Sequence, residues 1–110
     1  MSHLSYTRGP QDKPLLAMTI GAAFDATVAR FAEREALVVR HQQLRYSWAQ
    51  LAEQVDSCAR GLLALGVQVG DRVGIWAPNC AEWCVTQFAS AKIGAILVNI
   101  NPAYRGTELD

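Results

Sequence analysis

Cys80 and Cys84 stand four residues apart, the spacing that puts two thiols on one helix face, and such a pair binds zinc when two further ligands converge on it. The other available ligands, Cys58, His3 and His41, fall in unrelated segments, so the pair reads as small apolar packing and no metal ligand is assigned. Nucleophilic catalysis needs a nucleophile, a base and an orienting group brought together. Ser47 and Ser90 belong to a helix cap and a helix body, neither histidine flanks a strand-end turn, and Glu82 has the spacing of a capping partner rather than of a general base. Neither of the glycine-rich phosphate loops, G-x-x-x-x-G-K-S/T or G-x-G-x-x-G, occurs. Trp48, Trp76 and Trp83 could stack on bases or sugars, but they occupy helix-face and strand positions where burial is the ordinary role, and they are expected in the core. Asn79 and Asn101 remain. Each follows an apolar strand, at the carboxyl end where open α/β sheets gather ligands, and they are the candidate ligand-contacting residues. The competing reading is that each only caps or turns the backbone, which Asn does at little cost. No catalytic, cofactor-binding or metal-binding residue is assigned.

The elements that must position these residues follow from periodicity and punctuation. Residues 1–17, with Gly9, Pro10 and Pro14 among polar residues, show neither helical nor strand period and read as an arm. Ile20, Phe24, Val28 and Phe31 form one helical stripe with Thr19 as its N-cap. Ala36 to Arg40 and Leu44 to Tyr46 read as an antiparallel hairpin around His41, Gln42 and Gln43, a turn without Gly or Asn. Ser47 and Gln50 have the S-x-x-Q capping-box spacing, and Tyr46 with Leu51 supplies a hydrophobic staple. Trp48, Leu51, Val55, Cys58 and Leu62 continue that helix to about Leu65, where Gly66 offers the left-handed residue of a C-terminal cap. After a turn at Val69 to Arg72, the apolar run Val73 to Ala77 predicts a strand covered on both faces. Asn79 and Glu82 repeat the capping spacing and open a third helix that Gly94 closes, and Ala95 to Ile100 is a second such strand. Strand, helix and strand in about thirty residues make a βαβ unit with parallel strands. The fold class is therefore α/β: an antiparallel hairpin followed by a βαβ unit of an open, doubly wound parallel sheet. Arg105 to Asp110 reads as the first turn of another helix, too short to sustain itself, so the chain is expected to be the N-terminal part of a larger domain.

Length and composition bound the function classes. One hundred and ten residues suffice for one core, and 51% hydrophobic against 18% charged residues excludes a disordered chain. Ten basic residues balance ten acidic ones, so no field attracts nucleic acid, which is not an expected partner. No stretch approaches the ~20 apolar residues of a membrane helix, and the polar start lacks the apolar run of a signal peptide. Three cysteines do not describe a disulfide framework, and a cytoplasmic location is expected.

The run Gly70-Asp71-Arg72-Val73-Gly74-Ile75-Trp76-Ala77-Pro78-Asn79, then Glu82-Trp83, then Gly94-Ala95-Ile96-Leu97-Val98-Asn99-Ile100-Asn101-Pro102, resembles the AMP-forming acyl-CoA synthetases of the adenylate-forming superfamily. The similarity extends back through Leu44 to Ser47, Leu51, Ala59, Leu62 and Leu65 to Gly66, and forward through Tyr104, Glu108 and Leu109. The fatty-acid CoA ligases are the subgroup it looks most like. The resemblance implies that residues 18–110 are the N-terminal portion of the large AMP-binding domain, cut before its nucleotide-binding motifs. It also implies a two-step reaction using ATP, Mg2+ and CoA on a fatty acid or other carboxylate, with the fragment itself inactive. Two alternatives stand beside it: a free-standing α/β interaction module, and an adenylating enzyme that loads a carrier protein instead of CoA. A fragment should self-associate or show exposed apolar strand edges, whereas a module should unfold cooperatively as a monomer.

Overall fold

A computed structural model describes residues 5–10 and 12–109; residues 1–4, His3 among them, Gln11 and Asp110 lie outside the described set. Helix α1 (Ile20–Phe31) starts on Thr19, whose hydroxyl accepts the Ala22 amide at 3.1 Å. Of its predicted stripe Phe24 is buried and Val28 and Phe31 are half-buried, while Ile20 at the helix start is exposed. Strands β1 (Glu35–Val39) and β2 (Leu44–Ser47) pair antiparallel as expected. Their connection is a 3-10 turn, Arg40–Gln42, and Gln43 at φ 51° takes the left-handed conformation that Gly or Asn would adopt more easily.

Helix α2 (Trp48–Ala64) has the full capping box: Gln50 N donates to Ser47 Oγ at 3.1 Å and Ser47 N to Gln50 Oε1 at 2.9 Å. Its first two amides are met from the turn after α1, Trp48 N by the Arg34 carbonyl and Ala49 N by that of Ala32. The helix ends in a Schellman motif, with Val67 N bonded to Leu62 O and Gly66 N, at φ 92°, to Leu63 O. Strands β3 (Arg72–Trp76) and β4 (Ile96–Ile100) are parallel neighbours in the register Arg72 to Ile96 through Trp76 to Ile100, with α3 (Ala81–Lys92) between them in sequence. A second Schellman motif at Gly94, φ 78°, returns the chain from α3 to β4. A short helix α4 (Gly106–Leu109) follows.

The core lies between the three long helices. Phe24, Leu51, Val55, Ala59 and Ala89 are buried together; Phe24 stacks on Phe88 with ring centroids 4.7 Å apart and meets Trp48 edge-on at 6.0 Å. Gly21 brings α1 close to α3, since a Cβ there would lie 3.2 Å from Lys92 Cα.

The β3–β4 pair departs from expectation. Its strands are not covered on both faces: Trp76 is 53% exposed, Ile96 46% and Val98 41%. These three share a face with Gly74 and Ile100 by register, and a Cβ added at Gly74 would come 3.0 Å from Ile100 Cδ1. The chain supplies one helical layer, and the opposite apolar face meets solvent. Trp76 is thereby removed from the core, while Trp48 and Trp83 are half-buried. The Cα radius of gyration is 17.5 Å, against about 13 Å for a close-packed domain of this length.

Candidate functional site at the strand ends

Parallel pairing in register brings the carboxyl ends of β3 and β4, Trp76 and Ile100, side by side. The loop Ala77 to Cys80 leaves one end and the turn Asn101 to Tyr104 the other, so both sequence-predicted residues lie beyond neighbouring strand ends. They behave differently. Asn101 Oδ1 accepts the Ala103 amide at 2.9 Å while its backbone carbonyl accepts Tyr104 N at 3.0 Å, an Asx turn nested in a β-turn. Its carboxamide oxygen is thus occupied by its own backbone. Asn79 is exposed, and its side chain makes no hydrogen bond among the described residues.

Asn79 is also not the cap of α3. The N-cap is Cys80, with extended backbone and no side-chain cap bond, so the Asn79–Glu82 capping box is not formed. The cap comes from the hairpin instead: Gln42 Oε1 accepts the Ala81 amide at 2.8 Å, and Gln42 Nε2 donates to Glu82 Oε1 at 2.9 Å and Oε2 at 3.2 Å. Sequence reasoning missed Gln42 because the bond spans 39 residues and nothing local marks it. Glu82 keeps an acidic group in the first turn of α3, where the helix dipole favours it.

Away from the strand ends, Lys92 ties the helices together: its Nζ lies 2.9 Å from Asp25 Oδ1 and 2.7 Å from Asp56 Oδ1. Its pKa is held above the ordinary 10.5, chiefly by the hydrogen bond to Asp56; burial opposes this and Asp25 adds to it. Cys58, Cys80 and Cys84 are half-buried free thiols. Cys58 lines an open groove of about 380 Å³ with Tyr46, Ser57, Glu82, Val85 and Thr86. A larger hollow of about 600 Å³ is lined by Tyr6 to Pro10 and Lys13 to Leu15.

A nucleotide polyphosphate with Mg2+ demands converging cationic or backbone donors and a carboxylate set. The strand ends offer two exposed carboxamides, and no group of three or more His, Cys, Asp or Glu that could hold a metal exists among the described residues. The residues present do not fit that group, and no phosphate or metal step is assigned to this chain. The arrangement can orient loops and offer hydrogen bonds to a neighbouring ligand.

Comparison with known proteins gives these loops a context. The family described as AMP-binding enzyme matches residues 24–110. A mouse (Mus musculus) protein, medium-chain acyl-CoA ligase ACSF2, mitochondrial, is 49% identical over 107 residues, 97% of this chain but 17% of the relative. The N-terminal domain of FACL13 from Mycobacterium tuberculosis, crystallised with an inhibitor, superposes with a TM-score of 0.80 at 32% identity, covering 83% of this chain and 23% of that one. The N-terminal subdomain of NpsA from Klebsiella oxytoca, bound to anthranilyl-AMSN, gives 0.77 at 28% identity over 83% of this chain and 23% of its own. The mouse relative is named as mitochondrial, which overturns the cytoplasmic location expected from the thiols and the polar start. Cysteine count reports a reducing environment, and several compartments provide one. The α/β fold and the adenylate-forming resemblance hold, and the chain belongs to the AMP-binding enzyme family.

Proposed function

We propose that this chain is the N-terminal portion of a longer ATP-dependent acyl-CoA ligase acting on medium-chain carboxylates, in which residues 1–17 form an arm and residues 18–110 begin the large AMP-binding domain. The observation that carries the reading is 49% identity across nearly the whole chain to a relative named as a medium-chain acyl-CoA ligase. In such a ligase the carboxylate attacks the α-phosphate of ATP and releases pyrophosphate; the CoA thiolate then displaces AMP and leaves a thioester. Mg2+ would accompany the nucleotide, held by residues outside these 110. The contribution of this segment is positional: the parallel pair carries the Asn79 loop and the Asn101 turn to one edge, where the exposed carboxamide of Asn79 and the remaining amide nitrogen of Asn101 contact a ligand. Alone, the segment is inactive and self-associates through the face formed by Trp76, Ile96 and Val98.

The full-length enzyme, given a medium-chain fatty acid, ATP, Mg2+ and CoA, should release pyrophosphate and form the acyl-CoA. Formation of the adenylate without transfer to CoA would favour the second reading, an enzyme that loads a carrier protein. That reading is motivated by the NpsA neighbour, one structure of which is an artificially fused adenylation–PCP di-domain, NpsA-ThdA. The isolated chain should not exchange pyrophosphate into ATP, and measurable exchange would refute the positional role. In sedimentation it should associate, and Trp76→Lys should return it toward monomer.

A further inference from the structure

We propose that Gln42 is a positioning residue for the strand-end site, acting through the amino end of α3; this rests on the functional reading above. The β3–α3 loop is short and anchored at both ends. On one side, Trp76 is held in the parallel register opposite Ile100. On the other, Ala81 is 2% exposed and its amide is the first unpaired donor of α3, a group costly to bury without an acceptor. Cys80 supplies none, and Gln42 Oε1 does so at 2.8 Å. The same carboxamide gives both of its faces to α3, because Nε2 donates to the Glu82 carboxylate at 2.9 Å and 3.2 Å. A planar group with an acceptor and a donor side by side is required. A carboxylate at position 42 would meet the Glu82 carboxylate with like charge at the same place, and the repulsion would push it off the Ala81 amide as well; an alkyl side chain would satisfy neither partner. The hairpin tip therefore sets where the loop carrying Asn79 stands relative to β3, although Gln42 itself lies outside that loop.

The test uses the full-length enzyme with Gln42→Glu, Glu82→Gln and the two combined. Gln42→Glu should speed hydrogen exchange of the Ala81 amide by about tenfold, as loss of one charge-assisted tie predicts. It should also lower kcat/KM for acyl-adenylate formation by roughly tenfold, in line with the sensitivity of positioned reactions to small displacements. The double variant restores the pairing with donor and acceptor exchanged, and should bring both quantities back to within about twofold of wild type. Unchanged Ala81 exchange in Gln42→Glu would show that the tie is absent. Faster exchange with wild-type kcat/KM would show that the tie exists but does not position the site. A wild-type enzyme unable to form an adenylate from any carboxylate would instead refute the functional reading, while the exchange measurement would still report on the tie. Should Gln42→Glu fail to fold, recovery of fold and kcat/KM in the double variant supports the proposal, and recovery of fold without kcat/KM overturns it.

Discussion

Replacing Lys92 by Met asks how much of the three-helix core depends on one ammonium. Lys92 Nζ bridges Asp25 on α1 and Asp56 on α2 at 2.9 Å and 2.7 Å, and lies 5.9 Å from the centroid of the Phe24 ring. The lysine side chain is 21% exposed, but the carboxylates are 59% and 46% exposed, so water screens both pairs. Pairs of this kind contribute about 0.2–1 kcal/mol each. With two short bonds from one ammonium on a side chain that is largely covered, the upper half of that range applies, and Lys92→Met should cost about 1–2 kcal/mol. For a chain of this size each kcal/mol lowers Tm by roughly 4–8 °C. Met retains an unbranched stem against Gly21, so the change reports charge more than packing. The pH dependence has a definite sign. Because the folded pKa of Lys92 is raised above 10.5, its stabilisation is complete below that pH and disappears as pH climbs through the folded value. In a Trp76→Lys background, which removes self-association, urea denaturation followed by circular dichroism should show a constant advantage of Lys92 over the Lys92→Met change from neutral pH to about pH 9, shrinking above the ordinary lysine pKa. Asp56→Asn should cost more than Asp25→Asn, since the Asp56 bond is the larger cause of the shift. A Lys92→Met variant as stable as wild type at neutral pH, or an advantage that persists after the lysine has titrated, would refute the electrostatic account.

Ser47→Ala removes one half of the α2 capping box and should cost about 1 kcal/mol in the same denaturation assay, whereas Ser47→Asp, which keeps an acceptor, should be nearly neutral. Gly94→Ala should cost more than Gly66→Ala: both glycines have positive φ, at about 1–2 kcal/mol for an L side chain, but only at Gly94 would the new Cβ press within 3.2 Å of Val69 Cγ1. Phe24→Ala opens a void at the junction of Trp48, Phe88 and Lys92 and should cost about 3–5 kcal/mol in the same assay, a large share of the stability of so small a core.

Most of the chain's elements were legible because their signals are local. Thr19, the Ser47–Gln50 pair, Gly66 and Gly94 act within about five residues, and each does in the structure what its spacing implied. The hairpin was legible from strand composition even though its turn lacks the usual residues; Gln43 accepts the left-handed conformation because pairing of β1 with β2 holds it there. The cap of α3 was misread for the opposite reason. Asn79 and Glu82 have the right spacing, but a competing acceptor from the hairpin satisfies Ala81, and Asn79 is left facing solvent.

By itself, then, the sequence determined the helices, the strands, their order and the superfamily resemblance, since caps, turns and apolar periods are short-range physics written in neighbouring residues. Tertiary structure decided which of those groups remain available. It left the Asn79 carboxamide exposed, enlisted Gln42 across 39 residues, and opened the Trp76 face to water, whereas the turn that occupies the Asn101 carboxamide is as local as the caps. An apolar run specifies that a strand favours burial; whether it is buried depends on what other layers the chain can bring against it.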